Sequence, residues 1–131
     1  MANLDSSVAK QIAQAAIAFQ HQVTDHEPRS VDVVLHGDTL LITLHGALSP
    51  AEIALAGSLN GAAKVQEFHR QLFATFADPL RHDVERITGV EVRAAIGEIA
   101  RTTGAVVQVT ATDTMVQVFL LADRVPMDSW S

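Results

Sequence analysis

The sequence contains no cysteine among its 131 residues. Disulfides, thiolate zinc sites and cysteine nucleophiles are therefore excluded, and the absence fits a reducing cytosol. Tyrosine is also absent, and aromatic residues make up 5% of the chain against a hydrophobic share of 48%. We therefore expect an aliphatic core. A chain of this length is expected to form one domain, residues 1–131, that buries about two thirds of its unfolded surface.

Basic clusters and long apolar runs are missing too. The chain has 9 Lys and Arg residues against 15 Asp and Glu residues, a formal net charge of −6. Nucleic acid is not an expected partner, because phosphate binding needs a basic surface. No apolar run approaches the roughly 18 residues of a membrane span, and the first residues lack the pattern of a signal peptide. We expect a cytoplasmic protein with no direct membrane insertion.

Residues 1–29 predict an N-terminal amphipathic helix and a linker. Apolar side chains recur at helical spacing within residues 4–20, namely Leu4, Val8, Ile12, Ala16 and Phe19. Residues 21–29 are polar and contain a proline, so they predict a connecting loop.

Residues 31–45 predict a β-hairpin with the loop Gly37-Asp38 and a positive φ at Gly37. The register places three apolar pairs on a core face, namely Leu35/Leu40, Val33/Ile42 and Val31/Leu44. The outer face then carries His36/Thr39, Val34/Leu41 and Asp32/Thr43. A short helix follows to about residue 56, with Ser49 as N-cap, Pro50 at the first helical position and Glu52 completing a capping box.

A longer helix is predicted from residue 62 to Thr88-Gly89, because apolar residues keep a 3.6-residue period there. Pro79 should kink this helix, and Asp78 could cap its second half. The predicted core contact joins one row of the helix to the hairpin, with Phe68, Leu72 and Phe76 against Val33, Leu35, Leu40 and Ile42.

The C-terminal part predicts strands. Residues 90–97 alternate as a strand does, although Val92, Ala95, Ile96 and Ile99 also fit a helical face. The helix end at Thr88-Gly89 and the glycine at position 97 favour the strand. Residues 105–111 and 114–121 predict a second hairpin. Its core-side pairs are Val109/Val116, Val107/Val118 and Ala105/Leu120, and its outer pairs are Val106/Phe119, Gln108/Gln117 and Thr110/Met115. Residues 124–131 form the predicted tail.

These elements predict an α+β fold of order α-β-β-α-α-β-β-β. Its antiparallel sheet has four or five strands, and the long kinked helix lies on the core face of the sheet.

The strand, Gly-Asp turn, strand and Leu48-Ser49-Pro50-Ala51-Glu52 resemble the small bacterial MpsC-like family, named after the C component of the sodium-translocating membrane-potential-generating system. The similarity continues through residues 65–70 (VQEFHR) and the helix end at residues 85–89 (ERITG). It implies a non-enzymatic cytosolic accessory or regulatory protein of a sodium- or bicarbonate-related membrane system, with a membrane-complex protein as partner. The alternative is a small-molecule binding domain or minor enzyme with a pocket between sheet and helix.

The six histidines are the first candidates for chemistry. His21 and His26 lie in a polar loop without a second anchor, and His36 and His45 lie about three rungs apart, too far for one zinc ion. A ligand could involve His36, or His82 oriented by Asp78 four residues earlier. No nucleophile or phosphate-binding motif is present. We therefore predict no catalytic residue, no metal site and no cofactor.

Apolar residues on the outer face of the sheet predict an interface, because a water-facing antiparallel sheet would be polar there. They are Val34, Leu41, Val106, Met115 and Phe119. The N-terminal helix of the same chain could cover them with Leu4, Val8, Ile12 and Phe19. A second subunit is the other cover, and we favour a homodimer.

Overall fold

The computed structural model describes residues 7–99 and 114–125, which form an α+β fold. The elements in chain order are α1 (Val8–Thr24), β1 (Ser30–His36), β2 (Thr39–His45), α2 (Pro50–Leu55), α3 (Leu59–Phe76), α4 (Asp78–Thr88), β3 (Val92–Ile99) and β4 (Met115–Leu121). The strands form a four-stranded antiparallel sheet of order β1-β2-β4-β3. The strand predicted at residues 90–97 is thus confirmed over its helical alternative.

The β1–β2 hairpin has the predicted register, in which Val33 pairs with Ile42 and Val34 with Leu41. Gly37 has the expected positive φ of 63°. Residues directly opposite each other share a face of the sheet, so the apolar pairs are on the same side. Leu40 and Ile42 are completely buried on this core face.

β4 lies beside β2, and this pairing corrects part of the prediction. Leu40 is opposite Phe119 and Leu44 is opposite Met115. Met115 and Phe119 therefore share the core face, where both are buried. Their predicted place on the outer face was wrong.

The predicted partner of β4 was also wrong. Val118 pairs with Leu41 of β2 on one side and with Ile96 of β3 on the other. Val118 lies on the outer face, where it packs with Val116, Leu41 and Leu120. Residues 105–111, including Val106, lie outside the described part of the chain.

α1 begins after Ser7, whose hydroxyl accepts from the backbone of Lys10, and it continues through Thr24, beyond the predicted end. Its apolar stripe packs into the cluster on the core face, with Ile12 and Ala16 completely buried. The prediction that α1 covers the outer face was therefore wrong. Leu4 lies outside the described residues.

The long predicted helix is divided into α3 and α4. α3 begins at Leu59, three residues before the expected start, and Ser58 caps it through a bond from the Gly61 N–H to the Ser58 hydroxyl. Ala77 ends α3 and begins α4, two residues before Pro79. No side chain in the described part of the chain caps α4, so the predicted cap by Asp78 was wrong. α4 ends as expected at Gly89, with φ 74°.

α3 turns a different row of side chains to the core from the one expected. Val65, His69 and Phe73 are buried, whereas Phe68 is 51% exposed and Phe76 is 50% exposed. Phe73 packs edge-to-face between Phe19 and Phe119, with ring centroids 6.0 Å away in each case. The predicted burial of Phe68 and Phe76 was wrong, because the helix is rotated towards the row that contains His69.

Candidate functional site

The polar centre of the helical layer is built from the start of α2. Ser49 accepts from the Glu52 N–H at 3.3 Å, and Glu52 Oε1 accepts from the Ser49 N–H at 2.9 Å. This reciprocal capping box was predicted from the sequence, and it fixes the carboxylate of Glu52 against the first turn of the helix. The second carboxylate oxygen remains available for another partner.

That partner is His69 of α3, whose Nε2 lies 2.6 Å from Glu52 Oε2. The imidazole is 3% exposed and the Glu52 side chain is 19% exposed, so the pair is shielded from water. The ring of Phe68 stands edge-on against that of His69, with centroids 5.4 Å apart. A buried polar pair of this kind is stable because each group satisfies the other.

A glycine allows α2 and α3 to approach closely enough for this pair to form. A Cβ at Gly61 would overlap the carbonyl oxygen of Leu55 at the end of α2. Only a residue without a side chain fits that corner. Gly61 therefore places Glu52 opposite His69, although Gly61 is not itself part of the pair.

The pKa of the Glu52 carboxyl reflects these competing surroundings. Burial acts to raise the pKa, but the hydrogen bonds from the Ser49 backbone and from His69 outweigh it and hold the pKa below its ordinary value. Hydrogen bonds to the charged form have this effect. Glu52 is thus held as a carboxylate, which suits a structural tie between two helices.

His69 is not among the candidate residues predicted from the sequence. A signal was present, since His69 stands four residues after Val65 and four before Phe73, in the middle of an apolar row. A histidine in such a row needs a polar partner, but its partner lies in another helix. The spacing of α3 alone could not identify Glu52.

The candidates chosen from the sequence are not brought together. His36 and His82 are both exposed. Asp78 accepts from Arg81 Nη2 at 3.1 Å. Their ligand-binding role stays a prediction.

The three remaining histidines each lie beside a polar group. His45 Nε2 lies 2.9 Å from Asp32 Oδ2, His26 Nε2 lies 3.0 Å from the Gly46 carbonyl, and His21 Nε2 lies 3.6 Å from Asp25. Within residues 7–99 and 114–125, no group of three or more His, Asp or Glu side chains could hold a metal ion.

The helical layer also carries a row of apolar side chains, which we call the α3 row: Phe68, Leu72 and Phe76. Phe68 and Phe76 are exposed, and Leu72 between them is half-buried. Their four-residue spacing puts them on one side of the helix. At the end of the row, a cavity of about 370 Å³ lies between α1 and the junction of α3 with α4. Phe19, Val23 and Pro79 line it together with Phe76.

These features define a small α+β domain with a buried Glu–His tie and an exposed apolar helix row. None of the helices in the described part of the chain is both long and apolar enough to cross a membrane. The fold and these features therefore place the protein in the class of small domains that present a helical surface.

The chain belongs to a family described as "Na+-translocating membrane potential-generating system (MpsC)", whose model matches residues 5–119. This confirms the resemblance found in the sequence. The uncharacterized protein YbcI of Bacillus subtilis (strain 168) is 24% identical over 107 residues, which cover 82% of this chain and 83% of YbcI. No solved structure is significantly similar to this chain.

Proposed function

We propose that this protein is a cytoplasmic accessory protein without catalytic activity of its own. It binds a protein component of a sodium-translocating membrane system through the α3 row. The description of the family supports the link to such a system. The exposed row on α3 is the observation that carries the proposal.

The α3 row supports protein binding because two of its three side chains are exposed to water. Phe68 and Phe76 are each about half exposed, although both are aromatic. Covering apolar area contributes about 25 cal/mol for each Å² removed from water. Apolar patches that stay exposed on soluble domains usually mark an interface.

The cavity beside Phe76 gives the row a place for a partner side chain. Its apolar walls come from Phe19, Val23 and Pro79, and its volume of about 370 Å³ accommodates a large apolar group. Interface energy is concentrated where such a group fills a pocket. The partner should therefore present an apolar anchor residue on a helix or loop.

The surroundings of the titratable groups support the non-enzymatic part of the proposal. Glu52 and His69 are bonded to each other and to the capping box. Asp78 is paired with Arg81, and His82 is exposed on the helix surface. A substitution of His36, Asp78 and His82 together should therefore leave partner binding intact.

The test is retention of a membrane protein on the immobilised full-length chain. Detergent-solubilised membranes from the native organism are passed over the wild type, and bound proteins are identified by mass spectrometry. We expect an integral membrane component of an ion-translocating complex to be retained. The double variant Phe68→Asp/Phe76→Asp should lose it, because the carboxylates would have to be desolvated in the interface.

Leu59→Asp is the matched control, because Leu59 is 90% exposed on the same helix. It stands nine residues before Phe68, about two and a half helical turns, and so faces the opposite side. This variant should retain the membrane protein as the wild type does. Equal retention by the double variant, or retention of no membrane protein by the wild type, would contradict the proposal.

A further inference from the structure

A second cavity lies where the junction of α3 and α4 faces the edge strand β3. Its volume is about 260 Å³. Phe73, Ala77 and Ala95 contribute apolar walls, and Asp78, Arg81 and Arg93 contribute the polar groups. No residue of the α3 row lines it, so this cavity is separate from the surface proposed above.

Arg93 reaches this cavity because of a bulge in β3. Val92 is opposite Leu121 and Ala94 is opposite Leu120, so Arg93 is an extra residue between them. Bulges of this kind change the direction of a side chain and are frequent beside functional sites. The Arg93 Nε donates to the Leu121 carbonyl at 3.1 Å, which holds the guanidinium at the end of β4.

Arg81 approaches the cavity from the first turns of α4. Its Nη2 donates to Asp78 Oδ1 at 3.1 Å, which orients the side chain from one side. Arg93 has a more distant acidic neighbour, since its Nη2 lies 3.6 Å from Asp38 Oδ2. Each guanidinium carries several N–H groups in a plane, and the contacts to Asp78, Asp38 and Leu121 leave others available.

We propose that this cavity binds a small organic carboxylate with a short apolar body. The planar fork of a guanidinium matches a carboxylate in a bidentate arrangement, and two arginines line this cavity. The Ala77 and Ala95 walls fit the apolar part of the ligand. The volume of about 260 Å³ leaves room for a small apolar part beside the carboxylate.

Asp78 gives the proposal a distinctive consequence. Its carboxylate lines the same cavity and competes with a bound anion for Arg81. Removing its charge should therefore improve binding, whereas removing either arginine should weaken it. A cavity that only fills space would not respond with opposite signs to these changes.

The test is titration of the ¹⁵N-labelled full-length protein with sodium butyrate, followed by NMR, with sodium chloride at equal ionic strength as reference. Saturable shifts are expected for the backbone amides of Ala94 and Ala95 and for the Arg93 Nε–H. Arg81→Gln and Arg93→Gln should each weaken binding about tenfold, the size expected for a lost charge-assisted pair. Asp78→Asn should tighten binding severalfold.

Arg86→Gln is the control, because Arg86 is also on α4 but pairs with Asp83 and does not line the cavity. Its affinity for butyrate should equal that of the wild type. Thermal melting of each variant separates loss of binding from loss of folding. Arg93→Lys is a second variant at that position, which keeps the positive charge but loses the planar fork of the guanidinium. The proposal is overturned by equal shifts with chloride, by weaker binding in Asp78→Asn, or by binding of inorganic phosphate in place of butyrate.

Discussion

Glu52 joins two helices through one carboxylate. One oxygen completes the capping box of α2, and the other lies 2.6 Å from Nε2 of His69 on α3. The same residue thus specifies where α2 begins and how it meets α3. A local sequence motif and a tertiary contact depend on a single side chain.

The lowered pKa of Glu52 predicts a contribution to stability that depends on pH. Because the carboxyl is protonated less readily in the folded protein, its contribution is fully present above the ordinary value of 4.5 and is lost as the pH falls through the lower folded pKa. Glu52→Gln can still complete a capping box but cannot titrate. Urea unfolding between about pH 6 and about pH 3 should show a smaller loss of stability for this variant than for the wild type.

Glu67→Gln is the control for that measurement. Glu67 pairs with Arg70 on the exposed side of α3, where both side chains are about half exposed. Exposed pairs contribute little, so the pH dependence of its stability should match that of the wild type. Equal pH dependence for Glu52→Gln and the wild type would show that the Glu52 charge does not support the fold.

At the scale of elements, the two aromatic residues near the end of α3 have opposite roles. Phe73 is 5% exposed, and its ring contacts those of Phe19 and Phe119. Phe73→Ala should lower the free energy of unfolding by about 3 to 5 kcal/mol, the usual cost of emptying an aromatic site in a core. Chemical denaturation measures the difference.

Phe76→Ala is the matched comparison for this prediction. Phe76 is 50% exposed, so its truncation should cost less than about 1 kcal/mol, as surface changes do. A larger loss for Phe76→Ala than for Phe73→Ala would mean that α3 packs by the α3 row.

The elements that the sequence predicts best are those defined by neighbouring residues. Gly37 and the alternation around it determine the β1–β2 register, and Ser49 with Glu52 determines the start of α2. Each of these depends on hydrogen bonds or steric limits within a few residues. Tertiary context did not override them.

The errors come from choices between two faces that are both apolar. Gln117 lies between Met115 and Phe119 on the same side of β4, and its polar side chain made that side look unsuitable for the core. Gln117 is nevertheless completely buried, and neither its Oε1 nor its Nε2 has a hydrogen-bond partner among the described residues. In α3, the row that contains His69 looked less suitable for the core than the α3 row, because a buried histidine needs a polar partner. That partner, Glu52, belongs to α2. Neither choice can be made without the neighbouring element.

At the scale of the whole molecule, the homodimer expected from the sequence stays a prediction. α1 packs on the core of its own chain, so an interface would use the outer face of the sheet. Val34 is 53% exposed there, beside Leu41. We expect light scattering to give twice the chain mass of 14.0 kDa at high concentration, falling towards it on dilution.

Val34→Lys should shift this equilibrium to the monomer, because a lysine would have to be desolvated in the interface. Leu55→Lys is the control, because Leu55 is an exposed residue of α2. This variant makes the same change of charge away from the sheet. A wild-type mass that stays at 14.0 kDa at every concentration would exclude the dimer.

The strand order also governs the time at which the sheet is completed during synthesis on the ribosome. β2 pairs with β1 across a two-residue turn, and such hairpins form within about 10 μs. Its other edge waits for β4, since Leu44 pairs with Met115. At roughly 5 to 20 residues per second, translation leaves that edge unpaired for several seconds. The strand with the most deeply buried leucines is therefore the part of the nascent chain most exposed to wrong pairing, and a chaperone that protects it should act before β4 emerges.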